Sequence, residues 1–155
     1  MAEVRSNPDA DRRLAGIPSR GQRAFLALIV TQAAHSIEEY VFRLYDVFAP
    51  ARLVSSLVSD NLPFGFAVAN ILIVLFGIWC YAARVGPNHR SARSFAWFWT
   101  GLEFANGVGH SVIALSRGAY FPGVATAPIL IALSMYLAAR LTVRRAESRD
   151  AAPYG

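Results

Sequence analysis

From Phe64 to Ala83 the chain runs for twenty residues, FGFAVANILIVLFGIWCYAA, without a charge. As a helix rising about 1.5 Å per residue, this stretch is roughly 30 Å long, the thickness of a bilayer's hydrocarbon core. The composition points the same way, with 55% hydrophobic and only 16% charged residues, against about 25% charged in ordinary soluble domains. Three further apolar stretches, Gln22 to Tyr45, Phe95 to Leu115 and Val124 to Ala139, are separated from it by turn signals. These are Pro50, Asp60-Asn61 and Pro63 around an amphipathic piece from Arg52 to Val58, then Gly86-Pro87-Asn88, then Arg117-Gly118 and Tyr120-Phe121-Pro122-Gly123. The pattern predicts an all-α polytopic membrane protein, a bundle of four transmembrane helices over residues 22–141. A polar, arginine-rich arm (1–21) precedes it and a loose polar tail (142–155) follows.

The apolar core from Ala24 to Ala34 also reads as a cleavable signal peptide. Against that, amphipathic periodicity continues through Ile37, Tyr40, Val41 and Leu44, which favours an uncleaved first helix. Every basic residue is an arginine, and twelve of the fifteen lie in the arm, the Arg84–Arg93 loop and the tail. Only Arg43, Arg52 and Arg117 fall in the other two loops, so the positive-inside rule predicts a multi-pass protein of the cell membrane with both termini cytoplasmic. The same clustering argues against nucleic acid despite a pI near 10.0, because the arginines form no stripe interleaved with aromatics. One cysteine, Cys80, excludes a disulfide framework or a cysteine-based metal site. No nucleotide cofactor is expected.

Five ionisable groups stand inside these apolar stretches. His35, Glu38 and Glu39 are spaced i, i+3, i+4, and Glu103, Asn106 and His110 are spaced i, i+3, i+7, so each set projects from one helical face. Helices one and three run in the same direction, and counting residues puts both sets roughly 12–22 Å into the bilayer. In an up-down bundle they face each other across the core, where helix-borne side chains build metal sites. Each ionisable group at such depth costs about 2.5–3.5 kcal/mol, whereas interhelical hydrogen bonds in membranes return only about 0.6 kcal/mol each. A purely structural cluster is therefore the weaker reading.

His35, Glu38, Glu39, Glu103 and His110 are candidate ligands for zinc or iron. Three glutamates fall short of the four that a di-iron site normally uses, so one metal with a carboxylate left as general base fits the count better. Metal-free acid–base work by the same groups is the alternative. His35, Glu38, Glu103 and His110 are the expected catalytic groups, with Glu39, Asn106 and Tyr120 supporting. Arg43, four residues after Glu39, is expected to pair with it, which leaves Glu38 as the better catalytic candidate. Gly101, Gly107 and Gly109 read as close-packing positions. Asn70 reads as an interhelical hydrogen bond, Trp97 and Trp99 as an interfacial belt, and Tyr120 with Pro122-Gly123 either as a cap on the pocket mouth or as an interfacial aromatic and a turn.

At these residues the chain resembles the HXXEE-domain family of small prokaryotic integral membrane proteins. The motif itself is His35-Ser36-Ile37-Glu38-Glu39, followed in order by an Asn-x3-His element at Asn106–His110 and a Tyr-x-Pro-Gly element at Tyr120–Gly123. The resemblance covers roughly Arg23 to Arg140 and implies the same membrane fold and the same choice of residues. The expected function is a metal-dependent or acid–base intramembrane enzyme acting on a hydrophobic, lipid- or isoprenoid-like substrate, with hydrolase, isomerase, cyclase and oxidase chemistry all open. Its partners would be the bilayer and that small molecule. A proton- or divalent-cation-coupled transport component, or a structural membrane protein with a polar core, are the rivals.

Overall fold

The computed structural model describes residues 16–150, with side chains to residue 142; most of the arm and the end of the tail lie outside the described residues. Helices account for almost all of it, and the described residues contain no strand. Helix α1 spans Ser19–Val41, α2 Leu44–Val47, α3 Ala49–Val58, α4 Leu62–Cys80, α5 Ala92–Arg117 and α6 Ala127–Asp150. A π-helical turn, Tyr81–Val85, extends α4. α6 runs eleven residues past the expected end at Ala139, so the start of the tail is helix rather than loose chain.

Local chemistry explains most boundaries. Pro50 and Pro63 occupy the first turns of α3 and α4, where a missing N–H costs nothing. The Asn61 side chain caps α4 by accepting from the Phe64 N–H at 3.1 Å. Gly118, at φ +61°, closes α5 in the left-handed conformation. The end of α1 differs from expectation: the helix stops at Val41 instead of reaching Tyr45, and Arg43 turns the chain at φ +56°. Tertiary packing accounts for this. The turn carries Leu44 and Tyr45 into an apolar cluster with Ala51, Phe66 and Phe121.

The four long helices form a bundle in which α5 packs along α6, α6 along α1, and α1 along α4. α1 and α5 meet only sparsely, as diagonal members do, and among the described residues α4 makes no packing contact with α6. At one end Gln22 Nε2 donates to the Val85 and Gly86 carbonyls at 3.1 and 3.3 Å, and Asn88 Oδ1 accepts from the Ile17 N–H at 2.7 Å. The Arg93 guanidinium also donates there, to the Leu141 carbonyl.

The interior is layered. An apolar cluster of Phe25, Leu28, Ile29, Cys80, Trp99 and Leu137 fills this arginine-rich end. The Tyr45 cluster fills the other. Between them on α1 and α5 come Gln32, His35, Ser36, Glu39, Glu103 and His110, all buried. The outside is apolar: Val30, Ile37 and Val41 on α1, Ile71, Leu72 and Leu75 on α4, and Val112 and Leu115 on α5 are exposed. Among the described residues, Leu62–Val85 is the one helix long and apolar enough to cross a membrane, with Ala127–Thr142 a shorter apolar helix. α1 and α5 miss that mark because their inward faces carry the polar layer.

Two expectations are corrected. Trp99 is fully buried, not interfacial: Gly77 on α4 leaves a slot for its indole, which a Cβ there would enter at 3.2 Å. Trp97 is exposed. Of the three α5 glycines, only Gly107 is a close-packing position, against Ala127 and Ile131 of α6, while Gly101 and Gly109 face open space.

Candidate metal centre

Helical spacing puts His35 and Glu39 one turn apart on the buried face of α1, and α5 brings His110 to meet them. His35 Nε2 lies 3.3 Å and His110 Nε2 3.1 Å from the same oxygen, Glu39 Oε1. The two imidazoles meet edge to face with ring centroids 4.7 Å apart. Ligand atoms of the three residues all fall within 4.8 Å of one another. Exposure is 0% for His35, 6% for Glu39 and 5% for His110, so water does not freely satisfy the cluster.

The opposite ring nitrogens fix what these atoms are. His110 Nδ1 lies 2.6 Å from the Pro122 carbonyl, which can only accept, so Nδ1 carries the proton. His35 Nδ1 lies 2.7 Å from Thr126 Oγ1. The single Thr126 hydroxyl proton goes to the acceptor-only Glu38 carboxylate at 2.6 Å, so the hydroxyl accepts from His35 Nδ1–H. Both histidines thereby carry a proton on Nδ1 and turn Nε2 to the same oxygen of Glu39. His35 Nε2 is buried with no hydrogen-bond partner. Two ring nitrogens and a carboxylate thus converge in a buried space, a donor set that could hold a metal ion.

Glu38, adjacent in sequence, has a different task. Its Oε1 accepts from the Tyr120 hydroxyl at 2.6 Å and the Ala125 N–H at 3.0 Å, and its Oε2 from the Thr126 N–H at 3.0 Å as well as the Thr126 hydroxyl. The carboxylate thus latches the 120–126 loop to α1 just before the N-terminus of α6, where negative charge is favoured. The Tyr120 hydroxyl, desolvated against the carboxylate to which it donates, is held above the usual tyrosine range and stays a donor. Gly123, at φ +93°, lies flat over both imidazoles. A Cβ there would sit 2.6 Å from His110 Nδ1 and 2.6 Å from His35 Cε1. The Tyr-x-Pro-Gly element therefore closes over the histidine pair, with the Tyr120 hydroxyl on Glu38 and the Pro122 carbonyl on His110.

Arg43 does not pair with Glu39. It binds Asp46 at 2.6 Å beyond the helix break, because the left-handed turn carries it away from α1. The expected division of labour between the two glutamates is therefore reversed: Glu39 joins the histidines and Glu38 holds the loop.

Glu103, 1% exposed, lies outside the three-residue cluster, facing the amide of Gln32. The Asn106 amide lies 3.5 Å from the same Gln32 side chain. Asn70 accepts from the Ser36 hydroxyl at 2.7 Å and so makes the expected interhelical bond.

Sequence reasoning missed Gln32, Ser36 and Thr126. Gln32 precedes His35 by three residues on the same face, a readable signal. Thr126 had only the weak signal of a lone hydroxyl between Gly123 and an apolar run.

No curated protein and no solved structure matches this chain. A family profile described as "Protein of unknown function with HXXEE motif" matches residues 26–137, a span that holds every residue of the cluster and of the loop over it. The chain belongs to the HXXEE family.

Proposed function

We propose that this protein is a membrane-embedded four-helix enzyme that holds one zinc or iron ion on His35, Glu39 and His110 and acts on a hydrophobic substrate admitted from the bilayer. The observation that carries the reading is the pair of imidazoles, each anchored through Nδ1, that turn Nε2 to one carboxylate oxygen. Ligand atoms about 2.0–2.2 Å from a shared tetrahedral ion lie about 3.3 Å apart, close to both His–Glu distances. Two histidines and one glutamate are a ligand set of catalytic zinc, which keeps a further position for water or substrate. An ion so held would polarise an oxygen-bearing head group or activate water. Glu38, Thr126 and Pro122 orient the ligands, and Gly123 gives the rings room.

The membrane reading draws on the apolar exterior, the arginine distribution and the burial of His35, Glu39, Glu103 and His110. α1 and α5 cross as helices with a polar inner face, which costs nothing against lipid because that face never meets it. The arginine-rich end tied together by Gln22, Asn88 and Arg93 is the cytoplasmic one.

Elemental analysis of the detergent-purified protein tests the site. About one zinc or iron per chain is expected, and none in a His35→Ala/His110→Ala variant that still inserts into membranes. Failure of the wild-type protein to retain either metal after reconstitution with both would sink the metal reading.

A further inference from the structure

One layer below the histidines, Gln32, Ser36, Asn70 and Glu103 form a second polar group. Glu103 and His110 are separated by seven residues of α5, about 10 Å of rise. One terminal atom of the Gln32 amide lies 2.6 Å from Glu103 Oε2 and 3.3 Å from Oε1, and the other lies 3.1 Å from Ser36 Oγ. The direction of the neighbouring bonds decides which atom is which. Asn70 Nδ2 donates to the Phe66 carbonyl at 3.0 Å, so Asn70 Oδ1 is the end that faces Ser36, 2.7 Å away. That bond uses the one proton of the Ser36 hydroxyl, which must then accept from Gln32 Nε2.

Gln32 Oε1 is therefore the atom turned to Glu103, an orientation in which it also faces Asn106 Nδ2, a donor, at 3.5 Å. The reverse orientation sets the Gln32 amide nitrogen against the Asn106 amide nitrogen and asks one hydroxyl proton to serve two acceptors. A carbonyl oxygen 2.6 Å from a carboxyl oxygen needs a proton between them. That separation is ordinary for O–H···O and short for N–H···O. Among the described residues no arginine or histidine pairs with Glu103.

We propose that Glu103 is a proton-bearing carboxylic acid that donates to Gln32, heading an ordered donor chain through Ser36 and Asn70 to the Phe66 carbonyl. It is a stored proton one layer from the histidines, not a fourth ligand. The inference stands on hydrogen-bond direction and is independent of whether the triad holds a metal.

Infrared spectroscopy of the full-length protein in detergent near neutral pH tests it. The expected spectrum contains a protonated-carboxyl carbonyl band that moves down on 13C-labelling of glutamate carboxyl groups and on exchange into D2O. Glu103→Gln removes the band, and Gln32→Leu, which keeps the carboxyl and removes its acceptor, shifts it to higher frequency. Metal content of Glu103→Gln stays within twofold of wild type. No such band in the wild type, a band that survives in Glu103→Gln, or one that Gln32→Leu leaves in place each overturns the proposal; so does loss of metal from a Glu103→Gln protein that wild type retains.

Discussion

On the arginine-rich side of the polar layer, Phe25, Leu28, Ile29 and Trp99 are held by shape: each fills a slot that neighbouring apolar atoms leave, and Gly77 exists to make room. Within the layer, His35, Glu38, Glu39 and His110 are held by direction, with both imidazoles tied to a partner by their Nδ1 and Glu38 by four donors. Dispersion contacts are individually small and interchangeable, so the first region tolerates substitution in proportion to volume. Hydrogen-bond networks in a dry interior fail when one partner is lost. The same bundle therefore has a graded half and a brittle half.

The sharpest break of that contrast is removal of the ligands. His35→Ala with His110→Ala is expected to abolish metal binding while the protein still inserts and elutes as wild type in detergent, because the shape-packed half is untouched. Gly123→Val comes next. Its side chain must enter the space of both rings and its backbone sits at φ +93°, so metal affinity measured by competition with a chelator should fall by about 100-fold or more.

Thr126→Val keeps the shape and removes the relay from Glu38 to His35, so affinity should fall by about 10-fold, within the range for lost outer-sphere partners. If metal affinity is unchanged, the tautomer of His35 is not set by this hydroxyl and the contrast loses one of its two supports. Ile29→Val, in the graded half, should lower stability by about 0.5–1.5 kcal/mol with no change in metal content. A tenfold loss of metal in that variant would show that the halves are coupled.

Much of this was legible because the signals were local. An uncharged run such as Phe64–Ala83 has few folded options, and spacing alone put His35 with Glu39 and brought Glu103 and His110 to one face of α5. The roles of Glu38 and Glu39 were not legible, since they depend on where Arg43 goes. The sequence Phe42-Arg43-Leu44 has no glycine or proline to announce a left-handed turn, and only the fit of Tyr45 beside Phe66 and Phe121 makes it worth forming. Trp99 misled for a similar reason: a tryptophan near a span end resembles an interfacial anchor until Gly77 is known to lie opposite. Thr126 was invisible because its partners, His35 and Glu38, lie some ninety residues away.

The latch between Glu38 and residues 120–126 also bears on how the protein is made. Its two halves come from the first long helix and from the turn that leads into the last one. A chain emerging from the ribosome has exposed His35 and Glu39 long before His110, and His110 before the turn that fixes both rings. Until residues 120–126 are in place, neither imidazole has the partner that fixes its Nδ1. The two rings are fixed only once residues 120–126 have closed over them.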